Sequence, residues 1–186
     1  NQAIRLNSKY VEAYNNRGNT LKQQGKLEEA VQSFNKAIQL KPDYIEAYYN
    51  RGIAFRQQGE LENAVKSFKK AINLKPDFEQ AHYNHGHVLK AQGKLKKAIE
   101  SYDKAIQLRP DFEQAHYNRG NILQKQIKLE EAVESYDKAI ELKPDYVEPY
   151  NNRGKTLRDL GRLDESIMSF EQALALKPNF SEVHSN

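Results

Sequence analysis

The chain contains no cysteine, which excludes disulfide bonds and thiolate chemistry. No apolar run approaches the roughly 20 residues that a membrane-spanning helix requires. The amino-terminal residues also lack the pattern of a signal peptide. These absences predict a soluble, cytoplasmic chain without a membrane partner.

The sequence is also poor in apolar residues for its length. Hydrophobic residues make up 38% of the 186 positions and charged residues 29%, which is too polar for one large globular core. A stack of small units needs less core, because each unit covers only its two neighbours. The composition therefore favours a repeat architecture.

A phrase of 34 residues occurs five times without an insertion. The copies are residues 11–44, 45–78, 79–112, 113–146 and 147–180. Residues 1–10 align with the end of a preceding copy, and residues 181–186 with the start of a following one. This period indicates a solenoid, so residues 1–186 are predicted to form a single array. Its terminal faces are expected to expose apolar side chains and to allow end-to-end self-association.

Each copy has the hydrophobic periodicity of two helices. In the first copy, one stripe consists of Ala13, Tyr14, Arg17, Gly18 and Leu21. The second stripe consists of Leu27, Ala30, Val31, Phe34, Ala37 and Ile38. Each copy is therefore predicted to be a helical hairpin, in which small residues allow close approach and Phe34 and its counterparts fill the space between the helices.

Glycine and proline mark the helix ends. Glycine tolerates the left-handed backbone of a helix carboxyl end, and it occurs at Gly25, Gly59, Gly93 and Gly161. The fourth copy has Ile127 there, and because a β-branched residue resists positive φ, a different turn is expected. Proline follows every second helix. The next helix is predicted to begin with a capping box, at Asp43 with Glu46, Asp77 with Gln80, Asp111 with Gln114, Asp145 with Glu148 and Asn179 with Glu182.

The recurring motif resembles the tetratricopeptide repeat. Its elements in the first copy are Tyr14, Gly18, Ala30, Phe34, Ala37 and Pro42. The resemblance covers the whole chain and implies an all-α, right-handed superhelical solenoid of antiparallel helix pairs. It implies five complete repeats, partial repeats at both ends, and first helices that line the concave side.

The net charge of +4 raises the question of a nucleic-acid partner. Much of the basic excess lies at the ends of second helices, where cations complement the helix dipole. These cations are Lys41, Lys75, Arg109, Lys143 and Lys177. Because the sequence lacks the interleaved basic and aromatic stripe of single-strand binders, no nucleic-acid partner is predicted.

One asparagine per repeat occupies a first-helix position that points away from the hairpin core. These residues are Asn16, Asn50, Asn84, Asn118 and Asn152. A carboxamide has both a donor and an acceptor, so such a column can pair with the backbone of an extended peptide. The column resembles the asparagine ladder in the repeat domain of O-GlcNAc transferases. The alternative interpretation is that each asparagine bonds to its own neighbours in the protein.

Other positions of the same arc vary between repeats, and they are where binding specificity is expected. The predicted peptide-binding residues are Tyr49, Tyr83, Tyr117, Asn19, His87, Asn121 and Lys155. Tyrosine offers rigid amphipathic contact area that is common at interfaces. The predicted edge of the groove is Lys22, Arg56, Lys90 and Arg158. This edge suits an acidic partner segment, and the alternative is an ordinary solvated flank.

The chain resembles the dicarboxylate clamp of chaperone-binding repeats only in part. Asn19 and Asn50 match it, but its basic positions correspond to Asn15, Gln80 and Asn84 in this chain. Without cations a terminal carboxylate has no charge-assisted partner. A chaperone-tail partner is therefore not predicted.

Charged or polar residues also interrupt the middle of the apolar arc. They are Arg17, Arg51, His85, Arg119 and Arg153. Because a buried lone guanidinium is too costly, the arginine stems are expected to pack while their heads reach an edge of the packed helices or an acceptor, which is a structural role.

The remaining histidines raise the question of a metal site. His82 and His85 lie three residues apart, with His87 nearby and His116 one repeat further on. However, His82 and His116 occupy a position held by tyrosine in other repeats, so they are interpreted as packing residues. Neither a metal nor another cofactor is predicted.

No motif for catalysis is present, such as a nucleophile elbow or a glycine-rich phosphate loop. The sequence predicts a non-enzymatic protein–protein interaction module, an adaptor or assembly scaffold that holds an extended segment of a partner in its groove. One alternative is a substrate-recognition region of a larger glycosyltransferase resembling the O-GlcNAc transferases. The other is a self-associating scaffold.

Overall fold

A computed structural model describes residues 2–178 of the chain, with side chains described from residue 9 onward. This part contains ten α-helices and no β-strand, which confirms the all-α class. The helices are α1 Gln2–Gln23, α2 Leu27–Leu40, α3 Ile45–Gln57, α4 Leu61–Leu74, α5 Glu79–Ala91, α6 Leu95–Leu108, α7 Glu113–Lys125, α8 Leu129–Leu142, α9 Val147–Asp159 and α10 Leu163–Leu176. The predicted start of a following repeat at residues 181–186 lies outside the described residues. The predicted capping pair of Asn179 with Glu182 also lies outside them.

Glycine closes the turn between the two helices of a repeat. Gly25 has a φ of 76°, and its N–H donates to the carbonyl of Lys22 over 3.1 Å. The N–H of Lys26 donates to the carbonyl of Leu21 over 2.9 Å. This pair of bonds satisfies two carbonyls at the carboxyl end of α1 and defines a Schellman motif.

The fourth repeat forms the same turn with isoleucine. Ile127 has a φ of 61°, and its N–H donates to the carbonyl of Gln124 over 3.0 Å. Lys128 donates to Leu123 in the same way as its counterparts in other repeats. The expectation of a different turn is therefore wrong. The packing of α7 against α8 fixes the hairpin, and Ile127 adopts the conformation that this hairpin requires.

The proline turns lie between repeats, and they contradict the predicted capping boxes. The N–H of Tyr44 donates to the carbonyl of Lys41 over 3.1 Å, closing a turn over Pro42 and Asp43. Helix α3 begins at Ile45, so the N-cap residue is Tyr44, and it makes no side-chain cap bond. Because the turn places the aspartate one position before the cap, its carboxylate does not cap the helix. The same arrangement occurs where Phe78, Phe112 and Tyr146 are N-cap residues.

Helix α1 runs without a break from Gln2 to Gln23, although the repeat phase predicts a turn between residues 6 and 11. Ser8 occupies the position that Pro42 holds one repeat later. Because serine retains a backbone N–H and has no ring to clash with the preceding turn, it permits a continuous helix.

The core depends on close contact between a glycine of the first helix and an aromatic ring of the second. A Cβ atom at Gly18 would lie 2.5 Å from the ring of Phe34, which is fully buried. The equivalent pairs are Gly52 with Phe68, Gly120 with Tyr136 and Gly154 with Phe170. The predicted division between small residues and space-filling rings is confirmed.

The chain forms two compact units, Asn1–Ser101 and Tyr102–Asn186. In the first unit α1 contacts α3, and α3 contacts α5. In the second unit α7 contacts α9. Second helices pack against the first helix of the following repeat, as α2 does on α3, α4 on α5 and α8 on α9. Within the described residues, no helix is both long enough and apolar enough to span a bilayer.

Candidate functional site

The first helices of adjacent repeats lie side by side in each unit, so their outward arcs form one surface per unit. We call this surface the first-helix face. In the first unit it carries Asn19, Tyr49, Tyr83 and His87, with Lys22, Arg56 and Lys90 at its edge. In the second unit it carries Tyr117, Asn121, Asn152 and Lys155, with Arg158 at its edge.

The asparagine column is largely engaged in internal hydrogen bonds. Asn84 and Asn118 are only 8% and 7% exposed. The amide nitrogen of Asn84 donates to the carbonyl of Gln80 over 2.8 Å and to the hydroxyl of Tyr49 over 3.1 Å. Asn118 donates to the carbonyl of Gln114 over 2.9 Å. At these two positions the carboxamide bonds to its neighbours, as in the alternative interpretation.

Other asparagines of the column link successive repeats. Asn50 donates to the side-chain oxygen of Asn15 over 3.0 Å. In the second unit Asn152 donates to the side-chain oxygen of Asn121 over 2.8 Å and to the hydroxyl of Tyr117 over 3.2 Å. Asn16, by contrast, is exposed. The column therefore holds adjacent first helices in register, in addition to any role in binding.

The three tyrosines have different surroundings. Tyr49 is half-buried, and its ring centroid lies 4.8 Å from that of Phe78. Tyr117 packs against Tyr146 with a centroid distance of 5.1 Å. Tyr83 instead meets His87 edge-to-face at 5.8 Å, which places two predicted binding residues in direct contact. Burial raises the pKa of Tyr49.

The edge of the first-helix face in the first unit is strongly basic. Arg56 donates to the side-chain oxygen of Asn84 over 2.8 Å, so the column positions this cation. Burial and the nearby Arg56 lower the pKa of Lys22. Burial, Lys90 and Arg56 lower the pKa of His87 to about 4, so this imidazole is neutral at pH 7. The sequence predicted these cations, and the structure brings Arg56 within electrostatic range of both Lys22 and His87, and Lys90 within range of His87.

The second unit offers fewer unengaged polar groups at the equivalent positions. Asn121 accepts a hydrogen bond from the hydroxyl of Tyr136 over 2.9 Å, in addition to the bond from Asn152. Burial raises the pKa of Tyr136, because its ionised form would lose hydration. Lys155 is half-buried and Arg158 is exposed.

The arginines of the apolar arc reach acceptors, as predicted. Arg51 donates to the hydroxyl of Ser67 over 3.1 Å and to the side chain of Asn35 over 2.7 Å. Arg119 donates to Ser135 and to Asp103, both over 2.7 Å. The sequence interpretation missed these acceptors, although a serine recurs at the same repeat position throughout: Ser33, Ser67, Ser101, Ser135 and Ser169.

The histidines at the tyrosine position behave as packing residues. The hydroxyl of Tyr48 donates to the carbonyl of Pro42 over 3.1 Å. His82 and His116 place Nε2 2.9 Å from the carbonyls of Pro76 and Pro110, so each imidazole replaces a phenol in the same contact. Among the described residues there is no group of three or more side chains arranged to hold a metal ion.

The sequence matches family models along nearly its whole length. A model described as TPR repeat matches residues 18–59, 52–93, 86–126 and 128–157. Two models described as tetratricopeptide repeat match residues 1–32 and 147–180. The chain belongs to the tetratricopeptide repeat family. No curated protein matches this tetratricopeptide repeat chain.

Solved tetratricopeptide repeat structures share the fold. MamA from Desulfovibrio magneticus RS-1 is 23% identical, with a TM-score of 0.84 over 92% of this chain and 97% of that one. YrrB, described as a TPR protein with an unusual peptide-binding site, is 23% identical, with a TM-score of 0.82 over 99% of this chain and 95% of that one. PilF of Pseudomonas aeruginosa is 19% identical, with a TM-score of 0.80 over 96% of this chain and 86% of that one.

At these identities the structural similarity establishes the fold and not the ligand. Together with the family matches, it supports a protein–protein interaction scaffold. This fold is typical of non-enzymatic interaction modules.

Proposed function

We propose that the first-helix face of the first unit binds an extended peptide segment of a protein partner, and that this segment carries acidic residues. The observation that carries the proposal is the pairing of Tyr83 with His87 beside the cations Lys22, Arg56 and Lys90. A rigid aromatic pair supplies apolar contact area at low entropic cost. Burial and the nearby Arg56 lower the pKa of Lys22, and an anionic segment would relieve the repulsion between these two cations.

The asparagine column has a modified role in this proposal. Because Asn84 holds both Tyr49 and Arg56, it positions binding residues and is not itself the main peptide ligand. Asn16 and Asn50 are the members more accessible to a peptide in the first unit. YrrB, which has the same fold, is described as having a peptide-binding site, and this supports a peptide as the ligand class.

A random peptide library displayed on phage tests the proposal directly. Selection on the intact chain should enrich acidic peptides, and a fluorescent copy of a selected peptide should bind saturably. Tyr83→Ala should weaken that binding by roughly tenfold, the loss expected at an aromatic hot spot. Lys22→Ala should weaken the binding by a smaller factor than Tyr83→Ala does. This factor should be larger at low salt, where the attraction between charges is less screened.

Lys36→Ala is the matched control, because Lys36 is exposed on α2 and donates a hydrogen bond to Gln39 on the same helix. Its affinity for the selected peptide should equal that of the wild type. Selected peptides without acidic residues, or equal affinities for Tyr83→Ala and Lys36→Ala, would refute the proposal. A role as the substrate-recognition region of a larger enzyme would use the same face, and it stays a prediction.

A further inference from the structure

A cavity of about 290 Å³ lies in the first unit, away from the first-helix face. Helix α4 contributes Lys69, α5 contributes His85, and α6 contributes Lys97, Glu100 and Ser101. Lys94, in the turn before α6, and two aliphatic side chains complete the lining. Ser101 is buried and His85 half-buried, whereas the lysines are exposed, so the lysines surround the entrance. The volume suits a small group better than a drug-sized ligand.

Other repeats fill the corresponding space with an arginine. Arg51 extends from α3 to Asn35, and in the second unit Arg119 extends from α7 to Asp103. Each guanidinium thereby has an acceptor on the second helix of the preceding repeat. In the third repeat the arginine is replaced by the shorter His85, which leaves the space open.

The acceptor positions change together with the arginine. Lys69 occupies the position of Asn35 and Asp103 in the neighbouring repeats. Lys97 occupies a position that is Glu131 in the fourth repeat. The cation on the first helix has thus been removed, and two cations have been added around the vacated space. Among the described residues neither Lys69 nor Lys97 forms an ion pair.

Hydrogen bonds assign the tautomer of His85. The hydroxyl of Ser101 donates its single proton to the carbonyl of Lys97 over 3.0 Å. Its oxygen therefore accepts from Nδ1–H of His85, which lies 3.1 Å away. The Nε2 atom is left as an acceptor, and it is buried with no partner among the described residues.

We propose that this cavity binds a phosphate group. The ammonium groups of Lys69, Lys94 and Lys97 supply charge-assisted donors to the phosphate oxygens. Phosphate carries more charge and more acceptor oxygens than a carboxylate, so it can pair with several of these ammonium groups at once. A carboxylate has a single charge and two oxygens, so it pairs with fewer of them. Inorganic phosphate and a phosphorylated side chain share this chemistry.

Calorimetric titration of the intact chain at constant ionic strength tests the site with inorganic phosphate, O-phosphoserine and acetate as probes. Inorganic phosphate should bind saturably and shift the imidazole NMR signals of His85, and acetate should not. O-phosphoserine should bind at least as well as inorganic phosphate if the site accepts a phosphorylated side chain. Binding of inorganic phosphate alone would assign the site to the free ion.

The double variant Lys69→Asp with Lys97→Glu restores the residues of the fourth repeat, and it should weaken phosphate binding by about tenfold or more. The charge-matched control changes Lys36 and Lys104 in the same way, because these lysines lie outside the cavity and bond to Gln39 and Gln107. This control should retain the wild-type affinity. An equal loss of phosphate affinity in both variants would show that binding depends only on the net charge of the protein, and it would refute the proposed site.

A second variant, His85→Arg, distinguishes the effect of the cavity's space from the effect of its positive charge. Arginine at this position is native to other repeats, so folding should survive, as checked by circular dichroism. The variant adds a positive charge but fills the cavity, and it should abolish saturable binding. Tighter phosphate binding by His85→Arg, or no binding by the wild type, would refute the proposal. Either result would leave the peptide-binding face untouched, because that face uses other side chains.

Discussion

Ile127 is a residue held in a conformation that its side chain opposes. Its φ of 61° lies in the left-handed region, and its side chain is 80% exposed, so it gains little packing in return. Left-handed backbone costs an L-residue with a Cβ roughly 1–2 kcal/mol, whereas glycine adopts it without penalty. Ile127→Gly should therefore stabilise the chain by about 0.5–1.5 kcal/mol, after allowing for the greater freedom of glycine in the unfolded state. Thermal and urea denaturation measure the change.

The reciprocal substitution provides the control for this prediction. Gly93 has a φ of 72° and nothing within reach of an added Cβ, so Gly93→Ile introduces strain without a clash. It should destabilise the chain by about 1–2 kcal/mol. An unchanged or lower stability for Ile127→Gly would show that the isoleucine contributes an interaction that its exposure conceals.

Two imidazoles give the stability of the chain a pH dependence. Burial and nearby cations lower the pKa of His85 and of His87 from 6.5 to about 4. A depressed pKa in the folded state means that the unfolded state binds more protons, so stability rises with pH in this range. The contribution is complete above pH 6.5 and is lost as the pH falls from there towards 4.

The double variant His85→Gln with His87→Gln tests this linkage. Its melting temperature should fall less than that of the wild type between about pH 7 and pH 5. Circular dichroism at a series of pH values measures both slopes. Parallel curves would mean that neither imidazole is neutral because of its folded surroundings.

At the scale of the helix, the helix boundaries are set by the glycine and proline turns and not by the predicted capping boxes. The sequence predicted helical hairpins correctly, because period and helix-end glycines act locally. It misplaced the helix starts, since Asp43 lies in a proline turn and Tyr44 takes the cap position. Helix α1 also continues through the position of the inter-repeat turn, because Ser8 stands where later repeats have proline.

The candidate site was harder to predict than the fold, because hydrogen bonding between repeats is not visible in one repeat. The arc that carries Asn84 was predicted from the helical period alone. The burial of Asn84 depends on Tyr49 and Arg56 of the preceding repeat, whose side chains form hydrogen bonds with its carboxamide. Likewise, the recurring serines are visible in the sequence, but their hydrogen bonds to the arginines are visible only in the structure.

Arg119 connects three helices of the second unit. It donates from α7 to Asp103 of α6 and to Ser135 of α8. Its side chain is 27% exposed and that of Asp103 is 50% exposed, so the ion pair is partly hydrated and its contribution is modest. Arg119→Leu should leave the fold intact and lower the free energy of unfolding by about 1 kcal/mol.

A double-mutant cycle with Asp103→Ala isolates the ion pair from the packing of the arginine stem. The coupling energy should be about 0.5–1 kcal/mol and should decrease in high salt. A loss of the whole helical signal in Arg119→Leu would show instead that the arginine anchors a polar network on which folding depends.

At the scale of the whole molecule, a repeat array gains stability from contacts between neighbouring helices. Helix α10 packs against α9, while Leu163, Ile167 and Met168 are 58%, 55% and 63% exposed. Leu163 and Ile167 lie one turn apart, and Met168 occupies the position of Glu134 in the fourth repeat. Adjacent apolar side chains of this kind favour association.

We therefore expect concentration-dependent self-association of the intact chain through this surface of α10. The double variant Ile167→Glu with Met168→Glu should remain monomeric at concentrations where the wild type associates, because burying the carboxylates would cost more than the contact gains. Static light scattering across a concentration series measures the effect. Ile127→Glu is the control, since Ile127 is an even more exposed apolar residue but lies in the turn between α7 and α8. It should associate as the wild type does, and if it too were monomeric, association would depend on net charge and not on the surface of α10.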